Sequence, residues 1–257
     1  MIDQSIQELI DLYNSGELDI VEKKIAGLIK KNPKNFVLYN LLGTVLTDKK
    51  NFNQALVNYK KSLEINPNYA EGHNNLGIAF YKLGKFNESI DSYQRAIKIK
   101  PNFSKAHNNL GLAYKELEKF NESINSFQNA IKIDPSYAEA YNNLGVTFKQ
   151  LGKLNESINS YQKAIKINPK YAEAYNNLGN IYNSNQKIDD AILNYKKAIK
   201  LNSNFIEAYS NLGNLLKEIG EIDEAQKYES KLLSLNPNDI DYKINVTLSI
   251  SPIASSI

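Results

Sequence analysis

Proline stands at residues 33, 67, 101, 135, 169 and 237, on a 34-residue step whose one vacant slot is filled by Ser203. Glycine keeps the same step at Gly43, Gly77, Gly111, Gly145, Gly179 and Gly213. Two residue types with special backbone needs, locked to one period, mark a stack of supersecondary units that are each too small to bury a core alone. Stability in such an array comes from contacts between neighbouring units, so chain length sets the number of units rather than the number of domains. Function is then expected along an extended surface rather than in one pocket.

Counted from Phe36 as position 1, the units run 36–69, 70–103, 104–137, 138–171, 172–205 and 206–239. Positions 4, 7, 8 and 11, for instance Tyr141, Leu144, Gly145 and Phe148, share one face of a first helix. Gly84-Lys85 and Gly152-Lys153 supply a turn. Asn87, Asn121, Asn155, Asp189 and Asp223 are then expected to cap a second helix, each followed by an acid suited to the positive end of the dipole. That helix closes on Lys98, Lys132, Lys166 or Lys200 ahead of the proline, which pushes its predecessor out of helical conformation. Its apolar stripe, such as Ile158, Tyr161 and Ile165, packs on the first helix and on the next unit. The fold class predicted is all-α: a solenoid of helix-turn-helix hairpins.

Leu-Gly at positions 7 and 8, an aromatic at 11, Ala or Ser at 20, Tyr or Phe at 24 and Pro at 32 resemble the tetratricopeptide repeat family. In the unit from Ala138 these are Leu144, Gly145, Phe148, Ser157, Tyr161 and Pro169. The resemblance implies a right-handed superhelix with first helices lining its concave surface. Position 4 departs from the family's tryptophan, carrying Tyr or His, and Ser replaces the usual Ala at position 20 in three copies. Residues 1–35 hold a degenerate capping repeat in the same register, marked by Leu9, Leu12, Gly16, Val21, Ile25, Leu28 and Pro33.

On the first helix, positions 2, 5, 6, 9, 12 and 13 are expected opposite the core stripe. Position 5 carries Asn40, Asn74, Asn108, Asn142, Asn176 and Ser210; position 6 carries Leu41 and then Asn75, Asn109, Asn143, Asn177 and Asn211. A side-chain amide has donors and an acceptor, the complement of a peptide backbone whatever its side chains. Such a ladder would hold extended polypeptide, with selectivity from variable positions such as Lys115 and Lys149 at position 12. Asparagine is also a poor helix former. The competing reading is structural, with the amides bonding to one another between repeats. Asn-Leu-Gly repeats with a position-6 amide resemble the superhelix of O-linked N-acetylglucosamine transferases, which implies contact with substrate polypeptide through Asn75, Asn109, Asn143, Asn177 and Asn211.

The balance of 31 basic against 28 acidic residues lacks a basic block interleaved with aromatics, so no nucleic-acid partner is expected. There is no cysteine, hence no disulfide or thiolate site. No apolar run of about 18 residues appears, so no membrane span is expected, and without a signal peptide the expected location is cytoplasmic. His73 and His107, at position 4, read as core rings rather than metal ligands. No catalytic set, metal site or small-molecule cofactor is expected. After residue 239 the register fades: Ile240, Tyr242, Ile244, Val246, Leu248 and Ile250 alternate with strand period, and residues 240–257 are read as a tail or as the start of a further segment. The functional expectation is a protein-interaction scaffold that is not itself an enzyme. The alternative is the substrate-recruiting arm of a protein O-glycosyltransferase.

Overall fold

The computed structural model describes residues 2–235, with side chains from residue 8 onward. The alternation from Ile240 lies outside the described residues. The chain divides into two units, Met1–Pro135 and Ser136–Ile257. In the first, α1 (Ile2–Asn14) pairs with α2 (Leu18–Lys31), α3 (Phe36–Asp48) with α4 (Phe52–Ile65), α5 (Ala70–Lys82) with α6 (Phe86–Ile99), and α7 (Ser104–Glu116) with α8 (Phe120–Ile133). In the second, α9 (Ala138–Gln150) pairs with α10 (Leu154–Ile167), α11 (Ala172–Ser184) with α12 (Ile188–Leu201), and α13 (Ile206–Glu218) with α14 (Ile222–Leu235). Within each unit the second helix of a pair also packs on the first helix of the next, as α4 does on α5 and α12 on α13. Among the described residues every element is a helix, and the architecture is an all-α helical repeat solenoid.

The turn inside each pair is built on position 15. Gly16, Gly84, Gly152 and Gly220 occupy it with φ between 70° and 86°, and Lys50, Glu118 and Gln186 hold the same left-handed conformation with φ between 56° and 60°. The N–H of Gly84 donates to Tyr81 O and that of Lys85 to Phe80 O, both at 2.9 Å, closing the helix end in a Schellman pattern. The chain then restarts at once. Second helices begin at position 17, so Lys85, Lys119, Lys153 and Lys187 are the N-caps and make no side-chain cap bond. Asn87, Asn121, Asn155, Asp189 and Asp223 therefore lie inside the first turn, which corrects the capping expectation: the turn leaves a single residue, position 16, between its left-handed position and the helix, and in these copies that residue is lysine or glutamate rather than an Asx cap. Among the described residues, the N-cap side chains that accept from the backbone are Asn51, before α4, and Asn35, before α3, at Gln54 N and Val37 N. The last-turn lysines Lys98, Lys132, Lys166 and Lys200 sit at the carbonyl ends as their spacing predicts.

Close packing within a pair depends on position 8. A Cβ on Gly77 or Gly145 would stand 2.5 Å from Tyr93 Cε1 or 2.7 Å from Tyr161 Cε1, so the glycine lets the position-24 ring lie against the first helix. The same ring bridges to the next pair: Tyr93 clusters with Leu110 and Ala113, and Tyr195 with Leu212 and Leu215. Serine at position 20 has a local cause in two of its three copies, Ser89 Oγ being buried without a partner among the described residues. Ser123 Oγ donates to Gly111 O at 2.8 Å and Ser157 Oγ to Gly145 O at 2.7 Å, both buried. The N-terminal pair joins the core through Leu9, Val21 and Ile25, which pack with Val45 of α3.

Candidate functional site

On the first helix, position 5 lies about 60° round the axis from the glycine at position 8, and position 6 about 160° from it. That angular difference separates the two asparagine columns. Asn40, Asn74, Asn142 and Asn176 are buried, and Asn108 is 0% exposed, whereas Asn75, Asn109, Asn143, Asn177 and Asn211 are half-buried. Position 5 thus flanks the core instead of facing away from it, because a first helix touches the first helices beside it as well as its own partner.

The two columns are hydrogen-bonded to each other. In the first unit Asn75 Nδ2 donates to Asn40 Oδ1 at 3.2 Å, and Asn109 Nδ2 to Asn74 Oδ1 at 3.0 Å. In the second unit Asn177 Nδ2 donates to Asn142 Oδ1, and Asn211 Nδ2 to Asn176 Oδ1, both at 3.0 Å. Each rung joins residue i to residue i+35. Asn75 Oδ1 accepts from Asn74 Nδ2 at 3.4 Å. Among the described residues, Oδ1 of Asn109, Asn177 and Asn211 accepts no hydrogen bond, so these three amides keep an acceptor and their second N–H.

A second set of contacts uses the same offset. Tyr81 OH donates to Glu116 Oε1 at 3.0 Å, and Tyr13 OH donates to Asp48. That bond to Asp48, helped by burial, pushes the Tyr13 hydroxyl up to about 12, while burial and then Glu116 raise Tyr81. These position-12 to position-13 links were not anticipated from the sequence; a search for polar partners at a separation of 35 would have found them. Lys115 at position 12 stands 3.4 Å from the same Glu116, and Lys149 is exposed on α9. Between the amide and tyrosine rungs, position 9 is half-buried and apolar at Ile78, Leu112 and Val146, but Asn180 and Asn214 take that place on α11 and α13.

His73 lines a cleft of about 510 Å³ with Glu64, Glu88, Asp91 and Arg95. Its Nε2 is 2.9 Å from Pro67 O, and that of His107 is 3.1 Å from Pro101 O. A carbonyl can only accept, so the proton sits on Nε2 and each ring ties its helix to the preceding proline. Among the described residues no group of three or more His, Asp or Glu could hold a metal ion, and no helix is long and apolar enough to cross a membrane.

Five segments, 43–84, 79–118, 113–152, 147–186 and 179–220, match the family described as TPR repeat, and residues 206–239 match a second description, tetratricopeptide repeat. The chain belongs to the tetratricopeptide repeat family. The fold of this TPR protein is shared with solved structures. It superimposes on a chain of the APC/C hetero-tetramer Cut9–Hcn1 with a TM-score of 0.77 at 19% identity, covering 95% of this chain and 48% of the other, about half that protein's length. A tetratricopeptide repeat protein from Parabacteroides merdae gives 0.74 at 19% identity over 97% of this chain and 98% of the other. YrrB, described as a TPR protein with an unusual peptide-binding site, gives 0.54 at 21% identity over 72% of this chain and 95% of its own. No curated protein matches the chain at a significant level.

Proposed function

We propose that this TPR protein is a scaffold that holds extended polypeptide against its first-helix face through the position-6 amides. The observation carrying this reading is the division of labour within each rung. Nδ2 of Asn109, Asn177 and Asn211 is tied sideways to the position-5 oxygen, which fixes the amide plane. The free Oδ1 and the second N–H are the pair that a peptide group needs. Stability alone gives the ladder little reason to exist. Two mid-helix asparagines cost up to about 1.3 kcal/mol relative to alanine, and one amide rung returns about 1 kcal/mol net. The peptide-binding site named for YrrB is consistent with this use of the fold. Asn74, Asn108, Asn142 and Asn176 would then act from behind, as positioning residues, and Lys115 and Lys149 would select guest side chains.

A panel of unrelated unstructured peptides titrated against paired variants tests the proposal. Asn109→Ala and Asn177→Ala remove groove amides, and binding should weaken by about fivefold per amide lost. Asn74→Ala breaks a rung but keeps the groove amide, so it should weaken binding far less. Equal effects from both kinds of variant, with helicity intact, would show that the ladder is structural only. A second reading, in which the repeats recruit substrate for a protein O-glycosyltransferase, rests on the same column of amides. It additionally requires sugar transfer to a peptide captured by the natural protein.

A further inference from the structure

We propose that the second-helix face of residues 136–235 is a self-association surface, on which a second copy of this chain docks antiparallel. On α12 the exposed stripe reads Asp189, Asp190, Leu193, Lys196, Lys197 and Lys200: acids in the first turn, one apolar residue, then lysines to the end. Leu193 is 67% exposed and stands midway between the acids and the lysines. The helices on either side repeat the polarity. Glu156 precedes Lys163 and Lys166 on α10, and Asp223 and Glu224 precede Lys231 on α14. Stacked on one repeat, these residues form an acidic row and a basic row across three helices. Their 34-residue spacing hides both rows from any local scan of the sequence.

The bland explanation is compensation of the helix dipole, and it covers the first-turn acids with Lys166 and Lys200. It does not cover Lys163, Lys197 and Lys231, a turn further in, nor an exposed leucine. Lys163, Lys166, Lys197, Lys200 and Lys231 make no ion pair among the described residues; Lys196 does, reaching Glu224 at 2.8 Å. Lys153, Lys187 and Lys227 stand beside the acidic row without outnumbering it. A two-fold axis at Leu193 lays the basic row of one copy on the acidic row of the other and sets Leu193 against its own equivalent, which is the requirement for an isologous contact. Helices of 14 residues give a face about 21 Å long. Three helix widths then bury roughly 1,200 Å² in total, the lower limit for a specific interface. The association is therefore weak and salt-sensitive.

Sedimentation velocity on the full chain across a concentration series decides the matter. The expected result is a monomer–dimer equilibrium at about 10 mM salt, where charges act over about 30 Å, and monomer at about 1 M, where they act over about 3 Å. Asp189→Lys/Asp190→Lys alone and Lys197→Glu/Lys200→Glu alone should each be monomeric, with circular dichroism confirming that they fold. An equimolar mixture of the two should form heterodimers, and a chain carrying all four substitutions should regain self-association. Leu193→Asp should abolish it in every background. A wild-type chain that stays monomeric at low salt, or a dimer indifferent to both charge inversions, would overturn the proposal.

Discussion

Gly145 faces the ring of Tyr161 so closely that a Cβ on the glycine would stand 2.7 Å from Cε1. The equivalent pair in the last described repeat is Gly213 and Glu229, where the nearest atom to such a Cβ is Glu229 Cγ at 3.5 Å, an ordinary contact. The same substitution should therefore have opposite signs at the two sites. Gly145→Ala must displace a buried ring and should destabilise by about 1–3 kcal/mol. Gly213→Ala should stabilise by up to about 1 kcal/mol, because alanine is the better helix former and has room. Urea unfolding followed by circular dichroism reads both, and a loss of stability in Gly213→Ala would count against this packing.

The turn position offers a second pair of opposite outcomes. Lys50, Glu118 and Gln186 hold φ near 60°, where a side chain costs about 1–2 kcal/mol relative to glycine. Each should gain roughly 1 kcal/mol when replaced by glycine, and Gly84→Ala or Gly152→Ala should lose a similar amount. Thermal melting of the five variants gives the comparison.

Within an amide rung the two partners are not equivalent. Asn177→Ala leaves Asn142 Oδ1 buried without a donor and should destabilise by about 1–2 kcal/mol. Asn142→Ala leaves the half-buried Nδ2 of Asn177 within reach of water and gains helix propensity, so its effect should stay within about 0.5 kcal/mol. The double variant should recover most of the loss. A double-mutant cycle by chemical denaturation measures it, and additive effects would mean that the rung contributes nothing.

Burial pushes the Tyr161 and Tyr195 hydroxyls up to about 12. A folded-state pKa above the unfolded value of 10.0 means that the folded chain keeps a proton the unfolded chain gives up. Stability from this source is full below pH 10 and is lost as the pH rises towards about 12. Tyr161→Phe should flatten that decline, as read from unfolding midpoints at successive alkaline pH values alongside tyrosinate absorbance.

The hairpin and its turn were legible because each rests on a backbone requirement repeated in register: a left-handed residue at Gly84 and Gly152, and a proline such as Pro169 after the second helix of each pair except α12, where Ser203 stands. The caps were not legible. Asn87 and its equivalents have the right residue type, but helix restart depends on a turn geometry set three residues earlier. The burial of the position-5 amides was hidden for another reason. A helical wheel treats a helix as having one packed side, whereas a first helix in a stack has neighbours on three. The 35-residue offset of the rungs reflects the lateral shift between adjacent first helices, which no periodicity of one helix contains.

In both units every amide rung takes its donor from the later repeat and its acceptor from the earlier one. The column therefore has a head and a tail, as a row of aligned arrows does. A guest strand lying along it in one direction and the same strand reversed would present their own N–H and C=O groups to it in opposite order, so the two orientations cannot be equal in energy. Leu41, 40% exposed and without an amide, marks where the arrow begins. If the amides hold polypeptide as proposed, a surface assembled from identical parts would in this way tell one end of a polymer from the other.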